Sequence, residues 1–115
     1  MRADADRLLD MLEAIDAIQK EAKNRADFEA NEMVRVWCLH HIVVLGEAAA
    51  GVSGALRARH PGVPWRRMVA MRNAVVHGYF RVDWDEVWNV VDRELESLRR
   101  SLAEVLASEN DEASS

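Results

Sequence analysis

Two prolines and five glycines among 115 residues are too few to serve the many turns of an all-β chain. A single cysteine, Cys38, allows no internal disulfide, and its apolar neighbours mark it as a small buried hydrophobe rather than a reactive thiol. No run approaches the ~18–20 consecutive apolar residues of a membrane span, and the first residues lack the pattern of a signal peptide. A soluble, cytoplasmic protein with no membrane partner is therefore expected. Half of the residues are hydrophobic, which excludes a disordered tail, and the length suits one domain with a single core.

Acidic residues are also missing from one long block. Residues 1–47 carry ten acids and six bases, residues 48–82 carry six arginines and no acid, and residues 83–115 carry ten acids and three bases. The net charge of −5 hides a strongly basic middle. Such a block can gather phosphates locally. It can equally pair with the acids of the flanking segments.

Abundant Leu, Ala, Glu and Arg favour helices. Leu8, Leu12, Ile15 and Ile18 recur at spacings of three and four, which predicts an amphipathic helix over 4–23. Residues 27–50 read as a second helix, apolar nearly all round from Val34 to Ala50 and hence central. Residues 55–59 read as a short accessory helix, and His60-Pro61-Gly62-Val63-Pro64 as a loop. Pro64 suits the first turn of a helix over 65–77, with Gly78 as its C-terminal cap. Asp83 followed three residues later by Glu86 opens the last helix, whose Trp84, Trp88, Val91, Leu95, Leu98, Leu102 and Val105 alternate spacings of four and three. The expectation is an all-α, up-and-down antiparallel bundle of four main helices, occupying residues 1–107, with a flexible polar tail over 108–115.

The chemistry concentrates in Arg72-Asn73-Ala74-Val75-Val76-His77-Gly78-Tyr79. Arg72 keeps its charge at any physiological pH, and histidine is the side chain that exchanges protons near neutrality. On a helix Arg72 falls within the apolar stripe of Trp65, Met68, Val69, Val75 and Val76, so it needs an acid or an interface, and Glu47 is the acid best placed. Asn73 and His77, four apart, share a face. His77 lies about 140° around the helix from Arg72, so one chain makes an awkward site and a second copy a plausible completion. The C-terminal end of the helix favours the imidazolium form of His77. Arg66 and Arg67 lie off the stripe and suit extra phosphate contacts. His40 and His41 are adjacent on a helix and point about 100° apart, so they cannot share one metal, and no metal site is expected.

Arg-x4-His-x-Tyr with Asn after the Arg resembles the signature of the HepT-like ribonucleases, toxins of the HEPN superfamily. Leu45-Gly46-Glu47-Ala48, Pro64-Trp65, and Asp83 with Val87-Trp88 also resemble that family's pattern, and together these segments span most of residues 4–106. The resemblance implies a metal-independent endoribonuclease, without cofactor, that works as a homodimer or higher assembly with the motif at the interface. It implies that Arg72, His77 and Asn73 are catalytic, with Asn73 orienting the histidine or the phosphate. It further implies a toxin–antitoxin pair, in which a nucleotidyltransferase antitoxin transfers AMP to Tyr79. The alternative is a non-catalytic helical adaptor that presents a substrate to a partner nucleotidyltransferase. A third reading is a plain structural bundle.

Overall fold

The structure, a computed structural model, describes residues 3–78 and 82–114. Every regular element among them is helical: α1 (Asp4–Glu21), α2 (Arg25–Ala30), α3 (Glu32–Gly51), α4 (Gly54–Arg59), α5 (Trp65–His77), α6 (Trp84–Asn89) and α7 (Leu95–Ser114), the last two joined by a π turn over Val90–Glu94. The chain is an all-α bundle of four main helices, α1, α3, α5 and the continuous α6–α7 rod, with short helices at the connections.

Contacts between ends fix the directions. Ser53, just past α3, donates its N–H and hydroxyl to the Asp4 carboxylate at 2.9 and 2.6 Å, while Trp37, early in α3, donates its indole N–H to Ala17 O at 2.8 Å. The end of α3 thus meets the start of α1, and the two run antiparallel. Asp16 with Arg99 and Gln19 with Glu96 set α7 antiparallel to α1. The middle helix α3 packs on both α1 and α5. Its Cys38, Ile42, Leu45, Ala48 and Ala49 join Leu8, Met11, Ile15 and Ile18 of α1 and Met68 of α5 in one buried core.

The second helix differs from its sequence reading. Asn31 breaks it by capping α3, its side-chain oxygen accepting from the N–H groups of Met33 and Val34. Asn24 caps the short α2 in the same way, accepting from Asp27 N. A capping side chain satisfies N–H groups that the first turn leaves unpaired, so each asparagine starts a helix of its own. The last helix begins as expected, with the Asp83 carboxylate accepting from Asp85 N and Glu86 N. The π turn then inserts one extra residue. The stripe Val91-Leu95-Leu98-Leu102-Val105 is buried as expected, but before the turn it moves by one position, to Val87 and Val90. Trp84 and Trp88 are left half-buried, packed about Phe28 with ring centroids 6.2 and 5.3 Å away. The polar stretch after residue 107 continues as helix to Ser114.

No uninterrupted apolar run reaches membrane length, yet α3 is long and apolar enough to cross a membrane by length and mean hydropathy. A third of that apolar stretch is buried inside the bundle. It lies between α1 and α5 and buries its inner residues against both, as the central helix of a bundle does.

Candidate active site

The site is built where α5 crosses α3 at Gly46. A Cβ at Gly46 would stand 2.2 Å from Arg72 Cβ and 2.8 Å from Met68 O, so the absence of a side chain there is what admits the stem of Arg72. The next residue, Glu47, points outward. Arg72 Nε donates to Glu47 Oε1 at 2.9 Å, Nη2 lies 2.8 Å from the same oxygen, and Nη1 donates to Asn73 Oδ1 at 2.6 Å. The acid–arginine pair anticipated from the stripe is present, and it removes the difficulty of a cation on an apolar face. Arg72 is half-buried at its stem and reaches the surface at its head.

Asn73 pairs with Arg72 rather than with His77. The long arginine reaches across to it. His77 is exposed in the last turn of α5 and makes no hydrogen bond or ion pair with another described residue. Gly78 closes the helix, donating to Ala74 O at 2.8 Å. Its φ of −102° lies outside the left-handed region, so the cap does not need glycine for its dihedral angles. A Cβ there would lie 2.5 Å from Ala74 O, and that crowding explains the residue. The structure therefore gathers Glu47, Arg72 and Asn73 into one network and leaves His77 separate, a little over one turn along the same helix. Tyr79 lies outside the described residues.

Most of the basic block is matched within the fold. Arg67 is held by Glu94 at 2.9 and 3.0 Å and by Glu86 at 3.3 Å, and the Glu94 hydrogen bond raises its pKa further. Arg59 and His60 both grip Glu109, at 2.5 and 2.8 Å, and these hydrogen bonds, Arg59 first, hold its carboxyl down at about 2. Arg57 donates to Ala49 O at 2.5 Å. Arg66 is exposed and has no ion pair with another described residue, so of the two extra arginines singled out from sequence it is the available one. Cys38 is fully buried, and burial pushes its thiol up to about 11. No group of three or more His, Cys, Asp or Glu among the described residues could hold a metal ion.

An apolar stripe runs along the outer face of α3 to this network. Met33, Trp37, His40, Val44 and Glu47 follow one another at spacings of four and three, with Val36 beside Trp37. Met33 is 77% exposed, Val36 52% and Trp37 42%, and Val76 of α5, between Asn73 and His77, is 48% exposed. Sequence reading assigned Val76 to the core stripe. Met71 is buried instead, because the packed face of α5 is centred nearer Met68 than Trp65.

Among the described residues, the site thus consists of an arginine–asparagine pair on α5, an acid bracing it from α3, and an exposed histidine without a side-chain partner in the last turn of α5. The chain belongs to the ribonuclease HepT-like family, whose family model matches residues 9–105. It is 30% identical over 100 residues to "Probable ribonuclease HepT" of Thermococcus cleftensis, covering 85% of this chain and 91% of that one. It is 28% identical over 97 residues to "Putative RNase MJ1380" of Methanocaldococcus jannaschii, covering 83% of this chain and 89% of that one. No solved structure matches the chain.

Proposed function

We propose that this chain is a metal-independent endoribonuclease of the HEPN type, acting as a homodimer and serving as the toxin of a toxin–antitoxin pair. The observation that carries the reading is the Arg72–Asn73 pair on the same helix as an exposed His77 that has no side-chain partner among the described residues, in a member of the ribonuclease HepT-like family. In the reaction the 2′-oxygen of a ribose attacks the adjacent phosphorus. Its proton passes to a base, the bond to the 5′-oxygen breaks, and that oxygen takes up a proton. The products are a cyclic phosphate and a free 5′-hydroxyl. His77 serves as the proton-transfer group, an effect worth about 10²–10⁴-fold. Arg72 stabilises charge on the phosphorane oxygens, worth about 10²–10³-fold. Asn73 orients Arg72. DNA lacks the attacking hydroxyl, so RNA is the substrate, and Arg66 offers a further phosphate contact.

The exposed stripe of α3, leading to Glu47 and continued by Val76, supports a second copy of the chain as its partner, with two motifs brought together across a two-fold axis. Tyr79, two residues after His77 in the sequence, is the acceptor for AMP from a nucleotidyltransferase antitoxin; an adenylate there adds negative charge and bulk next to the motif in sequence. Co-expression with the nucleotidyltransferase should add one AMP to the intact mass of the protein. Tyr79→Phe should abolish the addition, and a Tyr79→Phe protein that still gains AMP would refute the assignment.

A second reading, a non-catalytic adaptor for a nucleotidyltransferase, draws support from the internal pairing of Arg67 and Arg72, which leaves less free positive charge for RNA. Incubation of the purified protein with mixed RNA in EDTA separates the two. Cleavage that His77→Ala removes supports the nuclease, and an absence of cleavage of any RNA supports the adaptor.

A further inference from the structure

We infer that Gly46-Glu47 is a positioning device for Arg72: Gly46 admits the arginine stem against α3, and Glu47 grips one edge of the guanidinium so that its other N–H groups stay available to a phosphate. The inference rests on the ribonuclease reading of Arg72. A guanidinium has five N–H donors in a rigid fork. Here Nε and Nη1 are engaged by Glu47 and Asn73, and Nη2 is held 2.8 Å from the same Glu47 oxygen. Without these partners the long arginine would sample many rotamers over an apolar surface. With them its plane is fixed from two sides, and the unengaged N–H groups on its terminal nitrogens can meet two phosphate oxygens together. The stem is fixed as well, because Arg72 Cβ occupies the space that any side chain at position 46 would need. The two residues are adjacent on α3 and act on the two ends of one side chain.

Both contacts from Arg72 reach the same Glu47 oxygen, Oε1. Glu47→Gln can keep that acceptor as an amide carbonyl while removing the charge, whereas Glu47→Ala removes both. Loss of placement costs about 10²-fold in kcat for roughly 1 Å of misplacement, and that is the drop expected for Glu47→Ala, with KM nearly unchanged. Glu47→Gln should recover to within about tenfold of wild type, since a neutral acceptor bonds about half as strongly as a charged one. Glu47 is 56% exposed, so the thermal midpoint should move little in either variant. Gly46→Ala should lower kcat in the same way if it folds, and the Glu47 pair carries the test if it does not.

Glu47→Ala cleaving as fast as wild type, or faster, would overturn the inference, because Glu47 would then only mask the charge of Arg72. Equal loss in Glu47→Ala and Glu47→Gln would also overturn it, because the charge and not the grip would matter. A second readout does not depend on cleavage. The Arg72 Nε proton, followed by 15N NMR, should be protected from exchange in wild type and Glu47→Gln and unprotected in Glu47→Ala. Unchanged protection in Glu47→Ala would refute the grip. Failure of the ribonuclease reading looks different: wild type would leave RNA intact, or His77→Ala would cleave it, whatever Glu47 does.

Discussion

Glu109 sits near the end of α7 with two side-chain partners, Arg59 and His60, at 2.5 and 2.8 Å. A carboxyl held at about 2, against 4.5 for a free one, stabilises the folded chain fully above the free value. That contribution is lost as pH falls through the lower value. Glu109→Gln should therefore lower the thermal midpoint at neutral pH, and the gap from wild type should persist down to about 4.5 and close by about 2. A gap that stays constant across that range would show that the cluster contributes no pH-dependent stability. The same scale explains what was legible about the motif. The pairing of Arg72 with Glu47 could be read from one cation on an apolar stripe facing one acid on an apolar helix. The partner of Asn73 could not, because a projection treats side chains as short spokes, whereas arginine is long enough to cross from its own direction to that of its neighbour. The steric role of Gly46 was also hidden: nothing in the sequence says which glycine faces another helix at contact distance.

α3 carries both the core and the exposed apolar stripe, so its two faces make separate claims. The inner face fixes the bundle. The outer face, with Met33, Val36 and Trp37 open to solvent, should hold the second copy. Trp37→Glu places a charge in that face without entering the core, since Trp37 is 42% exposed. Sedimentation should give a dimer for wild type and a monomer for Trp37→Glu, with RNA cleavage lost together with the dimer. A wild-type monomer at all concentrations, or a Trp37→Glu dimer that is fully intact, would move the interface elsewhere. Boundaries on this scale were legible where a cap stood at the edge of a periodic run, as at Asp83 and Gly78. Asn31 was missed because the apolar run beyond it masked a capping signal inside one long segment. The π turn was missed because the periodicity after Val91 is regular, and one inserted residue changes only the phase before it.

Across the whole molecule, the acid-free block is a source of internal order as much as a phosphate-gathering surface. Arg57, Arg59, Arg67 and Arg72 tie α4 and α5 to α3, to the α6–α7 rod and to the end of α7. Among the described residues, Arg66 and His77 are exposed near the motif without an ion pair, and Arg72 is partly exposed. The motif residues that are described lie on the outside of a bundle 49 Å long and 26 Å wide, and the proposed nuclease is therefore expected to be completed by a second chain. The central claim is that Arg72 and His77 cut RNA without a metal. Its most direct test is the rate of RNA cleavage in EDTA by wild type, Arg72→Ala and His77→Ala at equal, verified folded concentration. Wild type should cleave and leave cyclic phosphate ends, and each variant should fall by at least about 10²-fold. Wild-type cleavage abolished by EDTA, or undiminished cleavage by His77→Ala, would contradict it.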